Sequence, residues 1–172
     1  MRNIVSIFLI ILCLCVSCTT PRAGTEEWIH GNATSRPVHE LESSVLKGNT
    51  YAYDELCIAY LDIGTERLLP YAILMANKYD YTMAYYHVYD CLTLLYWDDC
   101  DDDSCFLDSL DMQTRTMALE YLKKAADKGE RNAQRDLGWL YLEGKHVKKD
   151  TVLGNQLLEK SGDNIPRLHE YR

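Results

Sequence analysis

The densest cluster of reactive side chains runs Trp97-Asp-Asp-Cys100-Asp-Asp-Asp-Ser-Cys105-Phe-Leu-Asp108. Asp99, Asp101 and Asp103 stand at alternate positions, the spacing at which loop carboxylates supply the first three oxygen ligands of a calcium site. The pattern then breaks. Ser104 occupies the position that needs a glycine for the turn, and Leu110 the position of the closing bidentate glutamate. The run therefore reads first as a solvated acidic loop and only weakly as a calcium site. A Cys100–Cys105 disulfide would close that loop into a small ring, contributing about 2 kcal/mol on chain-entropy grounds, and Cys91 is a competing partner for either thiol. Elsewhere the five histidines are scattered, and no HExxH, nucleophile elbow, phosphate loop or dinucleotide fingerprint is present. A thiol nucleophile needs a histidine beside it, and no spacing here suggests one. The expectation is a non-enzyme with no cofactor.

What must position these residues begins with a leader. Met1-Arg2-Asn3 is a short positive segment, followed by an apolar run from Ile4 to Val16 that falls short of the ~20 residues needed to cross a bilayer. Val16-Ser17-Cys18 closes it, a small residue directly before a cysteine. This resembles the lipobox of bacterial lipoprotein signals, with Cys15 where that pattern usually has leucine. The resemblance implies that residues 1–17 are removed, that the Cys18 thiol carries diacylglycerol, and that the chain is held to a membrane of the cell envelope. Cys15 and Cys18 form a CxxC only inside this leader, so a redox or zinc reading is rejected. Residues 18–36, rich in Thr, Ser, Gly, Pro and Asn, read as a flexible tether. No acidic pair follows Cys18, which leaves membrane and leaflet open.

A formal net charge of −8 with no dense Lys/Arg cluster excludes a nucleic-acid partner. Thirteen tyrosines against two phenylalanines call for surfaces half packed and half wet, because the ring buries while the hydroxyl needs a partner.

Those surfaces come from an internal repeat. Ala52/Leu56/Tyr60, Ala84/Val88/Leu92 and Ala133/Leu137/Tyr141 share i, i+4, i+8 spacing, which puts each trio on one face of a helix. Each is preceded by a helical segment, and two of these end at Gly48 and Gly129, positions suited to the positive φ of a helix terminus; Asp80 holds the corresponding place before Ala84. The last unit, with Ala133, Leu137, Gly138, Tyr141, Gly144, Val147, Asp150 and Lys160, resembles a SEL-one-like (tetratricopeptide-type) repeat; Ala118, Tyr121, Lys124-Ala125-Ala126 and Gly129 resemble the second helix of the repeat before it. The resemblance covers 115–163 well and 48–114 weakly. It implies an all-α fold, a short right-handed α-solenoid of antiparallel helical hairpins spanning 37–163. A half repeat lies near 37–47 and units lie near 48–79, 80–128 and 129–163, with the acidic insertion at 97–110 and a C-terminal tail at 164–172. Gly138 would let two helices approach, Gly144 end the first and Asp150 cap the second. Gly154, Leu157 and Ser161-Gly162 depart from the pattern, which points to a frayed last helix.

In stacks of this type the first helix of each unit lines a concave face. That places Tyr51, Asp54, Glu55 and Ile58, then Met83, Tyr86, His87 and Asp90, then Asn132, Arg135, Asp136 and Trp139 along one groove. Mixed aromatic and polar groups on a curved face suit capture of a protein or peptide; packing between units is the competing reading for the same residues. Cys57, aligned with Gly138, reads as a structural thiol. The function implied is a membrane-anchored protein–protein interaction adaptor with an unidentified protein or peptide partner. The rival is a structural subunit packing into an envelope complex through its convex or end faces, with an envelope enzyme third.

Cys13 and Cys15 follow bulky leucines and are worse candidates for acylation, so Cys18→Ser should abolish palmitate incorporation in metabolic labelling; a normally labelled variant would refute the lipobox reading.

Overall fold

A computed structural model describes residues 36–93 and 105–162. Cys18, Asp99, Cys100, Asp101 and Asp103 lie outside the described residues, and Cys105 is described in its backbone alone, so the lipid anchor, the ring closure and the calcium ligands remain sequence readings. The elements are α1 (Val38–Val45), α2 (Thr50–Ile63), a 3-10 turn (Thr65–Leu68), α3 (Leu69–Tyr79), α4 (Thr82–Thr93), a short α5 (Cys105–Ser109), α6 (Met112–Asp127), α7 (Arg131–Glu143) and α8 (Thr151–Ser161). Among the described residues there is no strand, and no helix is long and apolar enough to cross a membrane. The fold is all-α, a helical repeat stack: α1 packs on α2, α3 on α4, α4 on α6, α6 on α7 and α7 on α8.

Four helices, α2, α6, α7 and α8, begin where a side chain satisfies one of their first amides. Asn49 accepts from the Ala52 amide and Glu130 from that of Ala133, each three residues before a repeat alanine. Tyr81 holds the equivalent place before Ala84, where its backbone carbonyl accepts at 3.1 Å instead. Its hydroxyl is thereby left for another role. Asp111 caps α6, and Asp150 caps α8 through the Leu153 amide at 3.0 Å, the role its sequence position implied. The preceding helices end with φ of 86° at Gly48 and 88° at Gly129. Asp80 adopts the same left-handed turn with φ 54°, and its carboxylate is held by Lys128 and by the Tyr85 hydroxyl. The Lys128 hydrogen bond, then that of Tyr85, keeps the Asp80 carboxyl below its usual range.

The core follows the repeat. Ala52, Ala84 and Ala133 have no exposed surface, and Leu56, Val88 and Leu137 lie buried one turn on. Tyr60 and Leu92 complete their trios in the interior, whereas Tyr141 is half-buried.

One expectation is corrected. The last helix is not frayed at its glycine: α8 runs unbroken from Thr151 to Ser161, and Gly154 is buried against α7. A Cβ there would meet Leu142 Cδ2 at 2.8 Å and the Gly138 carbonyl at 2.9 Å, while one on Gly138 would meet Leu158 at 3.0 Å. The departure at Gly154 is the counterpart of Gly138, two glycines placed where two backbones touch.

A larger residue at this crossing must push the helices apart. Gly154→Val should destabilise the stack by ~2–3 kcal/mol, lowering the melting temperature by roughly 5–10 °C; an unchanged melting curve would refute the contact.

Candidate functional site

Side chains of the first helices, α2, α4 and α7, meet mainly through polar groups. On α2, Tyr53 is buried completely, and its hydroxyl lies 2.9 Å from Nδ1 of His87 on α4. Cys57 Sγ lies 3.5 Å from the same nitrogen. The Tyr53 ring packs edge-on against Tyr81, whose hydroxyl donates to Asp54 at 2.9 and 3.2 Å. Between α4 and α7, the Tyr86 hydroxyl donates to Asp136 at 2.9 Å, and Arg135 Nε reaches the other oxygen of that carboxylate at 2.9 Å.

His87 is therefore a joint between units rather than a surface or groove residue. Desolvation pushes its pKa down to about 4, so it is neutral at physiological pH. Burial pushes the Cys57 thiol up to about 12. The fold does bring a thiol and an imidazole together across thirty residues of chain, which spacing alone did not suggest. Both shifts hold the pair as thiol and neutral imidazole, the opposite of an activated thiolate. Burial also raises Tyr53 and Tyr86, and it takes Tyr81 up to about 12 with help from the Asp54 carboxylate.

The other residues expected on this face fall into two groups. Met83 and Asn132 are exposed and, with Arg135, line a cleft of about 600 Å³ bounded by Tyr81, Thr82, Glu130, Arg131 and Ser161. Asn132 donates to Glu130, and Arg131 Nε donates to the Ser161 carbonyl at 2.9 Å, so the end of α8 forms part of the wall. Tyr51 and Ile58 lie exposed on α2, and Glu55 is gripped by Arg36 through two hydrogen bonds of 3.1 and 2.8 Å. Asp90 and Trp139 are half-buried. Desolvation, then the Asp136 and Glu130 carboxylates, raise Asp90 to about 6. Among the described residues no group of three His, Cys, Asp or Glu side chains could hold a metal.

Tyr53 and Tyr81 were missing from the sequence-derived set. Each had a signal in the repeat register. The residue after each repeat alanine is buried in all three units (Tyr53, Tyr85, Gln134), and the residue three before it is the cap position that Tyr81 fills.

The Sel1 repeat family matches residues 111–130 and 131–164, which take in α6 and the whole α7–α8 hairpin. No curated protein and no solved structure matches the chain.

His87 and Asp90 make opposite demands on pH. An unfolded histidine takes up a proton near 6.5, whereas His87 in the fold refuses it until about 4, so its contribution to stability is lost as pH falls through that window. Asp90 takes up a proton near 6 in the fold but near 3.8 when unfolded, so protonation restores stability over almost the same window. Each effect is ~3 kcal/mol, and the two nearly cancel. Asp90→Asn should melt higher than wild type at pH 7 and then lose stability steeply between pH 6.5 and 4, where wild type stays nearly flat. Parallel profiles for the two proteins would refute the buried ionisation of Asp90.

Proposed function

We propose that this protein is a non-catalytic adaptor, tethered to a membrane of the cell envelope through acylated Cys18, that captures a segment of a partner protein on the face built by α2, α4 and α7. The observation that carries the reading is the cleft between the starts of α4 and α7, whose volume and mixed lining of Met83, Tyr81, Asn132 and Arg135 suit side chains of a bound segment. Sel1 repeats are typically protein-interaction modules and generally non-catalytic, and solenoid stacks present curved surfaces for binding. The neutral Cys57–His87 pair supports the same view, since it lacks the ionised thiol that covalent catalysis would use. Residues 18–36 would serve as the tether that lets the stack reach a partner away from the lipid surface.

Affinity capture with the lipidated protein, followed by mass spectrometry, identifies the partner. Filling the cleft from both walls with Met83→Arg and Asn132→Trp should then weaken that partner's binding by ~10-fold or more, with helical content unchanged because both side chains are exposed. Undiminished capture would overturn the reading, and an obligate subunit of fixed stoichiometry insensitive to these changes would favour packing through the convex or end faces.

A further inference from the structure

The outward side of α2 is unpartnered. Tyr51, Ile58 and Leu61 are exposed by 81%, 43% and 63%. Their i, i+7, i+10 spacing lines them along one side of the helix, with Asp54 between them. An apolar stripe of this kind is what a helix normally buries.

The stripe's own helix is acidic, and the nearest exposed cations in sequence, Lys47 and Arg67, lie beyond its two ends. Neither α2 nor α4 contains a lysine or arginine, while Lys123 and Lys124 lie on α6 and Lys160 on α8. Arg36 reaches α2 from outside but is engaged in its fork on Glu55. Asp54 accepts from the Tyr81 hydroxyl and pairs with no cation among the described residues. His87, neutral down to about pH 4, adds no positive charge. The chain as a whole carries −8, a field that draws cations towards it and repels an anionic lipid surface.

We propose that this stripe docks a basic amphipathic segment of the partner protein, with apolar residues lying on Tyr51, Ile58 and Leu61 and a lysine or arginine set on Asp54. The inference rests on the capture reading above and names the chemistry of the partner. Burial of the three side chains supplies the non-directional part of the affinity, and the cation on Asp54 supplies register and salt sensitivity.

The test uses fluorescence anisotropy with the purified full chain in dilute non-ionic detergent, detergent alone serving as the blank. The probes are a labelled synthetic amphipathic helix of leucine and lysine and its leucine–glutamate counterpart. The lysine helix should bind with an affinity that falls as salt rises, and the glutamate helix should not bind. The pair Ile58→Ser and Leu61→Ser should weaken binding ~10-fold, and Asp54→Asn roughly 5-fold with a shallower salt dependence. The pair Glu120→Gln and Asp127→Asn, exposed on α6, removes the same kind of charge from another surface and should leave binding intact. Equal binding of the two helices, or equal loss in the α6 control, would overturn the proposal. Loss confined to Met83→Arg and Asn132→Trp would overturn it as well, while leaving capture in the cleft standing.

Discussion

Ala52, Ala84 and Ala133 occupy one position in three units, and none has any surface left to solvent. A methyl group at that point sets how near each first helix comes to its packing partners, and the other contacts take their spacing from it. Where the approach must be closer still, between α7 and α8, even the methyl is gone and Gly138 faces Gly154. Interiors packed this densely have little slack, so helix spacing is decided by side-chain size at a few positions rather than by the total apolar area.

With the helices at this spacing, the first helices of adjacent units are bridged by long side chains with polar tips. Tyrosine does this in each case: Tyr53 to His87, Tyr81 to Asp54 and Tyr86 to Asp136. Phenylalanine would fill the same volume but take one hydrogen bond from each carboxylate and from the imidazole, which carries its own desolvation penalty. This accounts for tyrosine rather than phenylalanine at positions 53, 81 and 86. It also divides the face, because Tyr86 spends its hydroxyl on Asp136 and His87 its ring nitrogen on Tyr53 and Cys57, leaving the cleft beside Met83 and the stripe on α2 as open surface.

The helical registers were legible because Ala-x3-Leu-x3-Tyr spacing is local and solved by one helix. So was the turn at Asp80, where an offset shared with Gly48 and Gly129 demanded a left-handed residue despite the change of type. The meeting of Tyr53, Cys57 and His87 was not, since it depends on how one unit is rotated on the next, a quantity no short stretch of sequence encodes. Gly154 was read against a pattern that prefers alanine, and its value emerges only when the opposing glycine is seen at the crossing. The cleft was half legible. Met83, Asn132 and Arg135 followed from the helical face, but the wall formed by Ser161 requires α8 to run to its full length.

The hydroxyl bridges also decide at which end of the pH scale the stack is vulnerable. Each phenol that donates to a carboxylate can do so only while it holds its proton, and loss of that proton would set two negative oxygens face to face. In the unfolded chain tyrosine ionises near 10, whereas Tyr81 in the fold resists to about 12 and Tyr53 and Tyr86 are also raised. Their contribution is therefore complete below 10 and drains away as alkali carries the solution through that interval. Both seams between units, α2 to α4 and α4 to α7, depend on the same kind of proton, so strong base would part the units from one another while leaving the hydrogen bonds within each helix untouched.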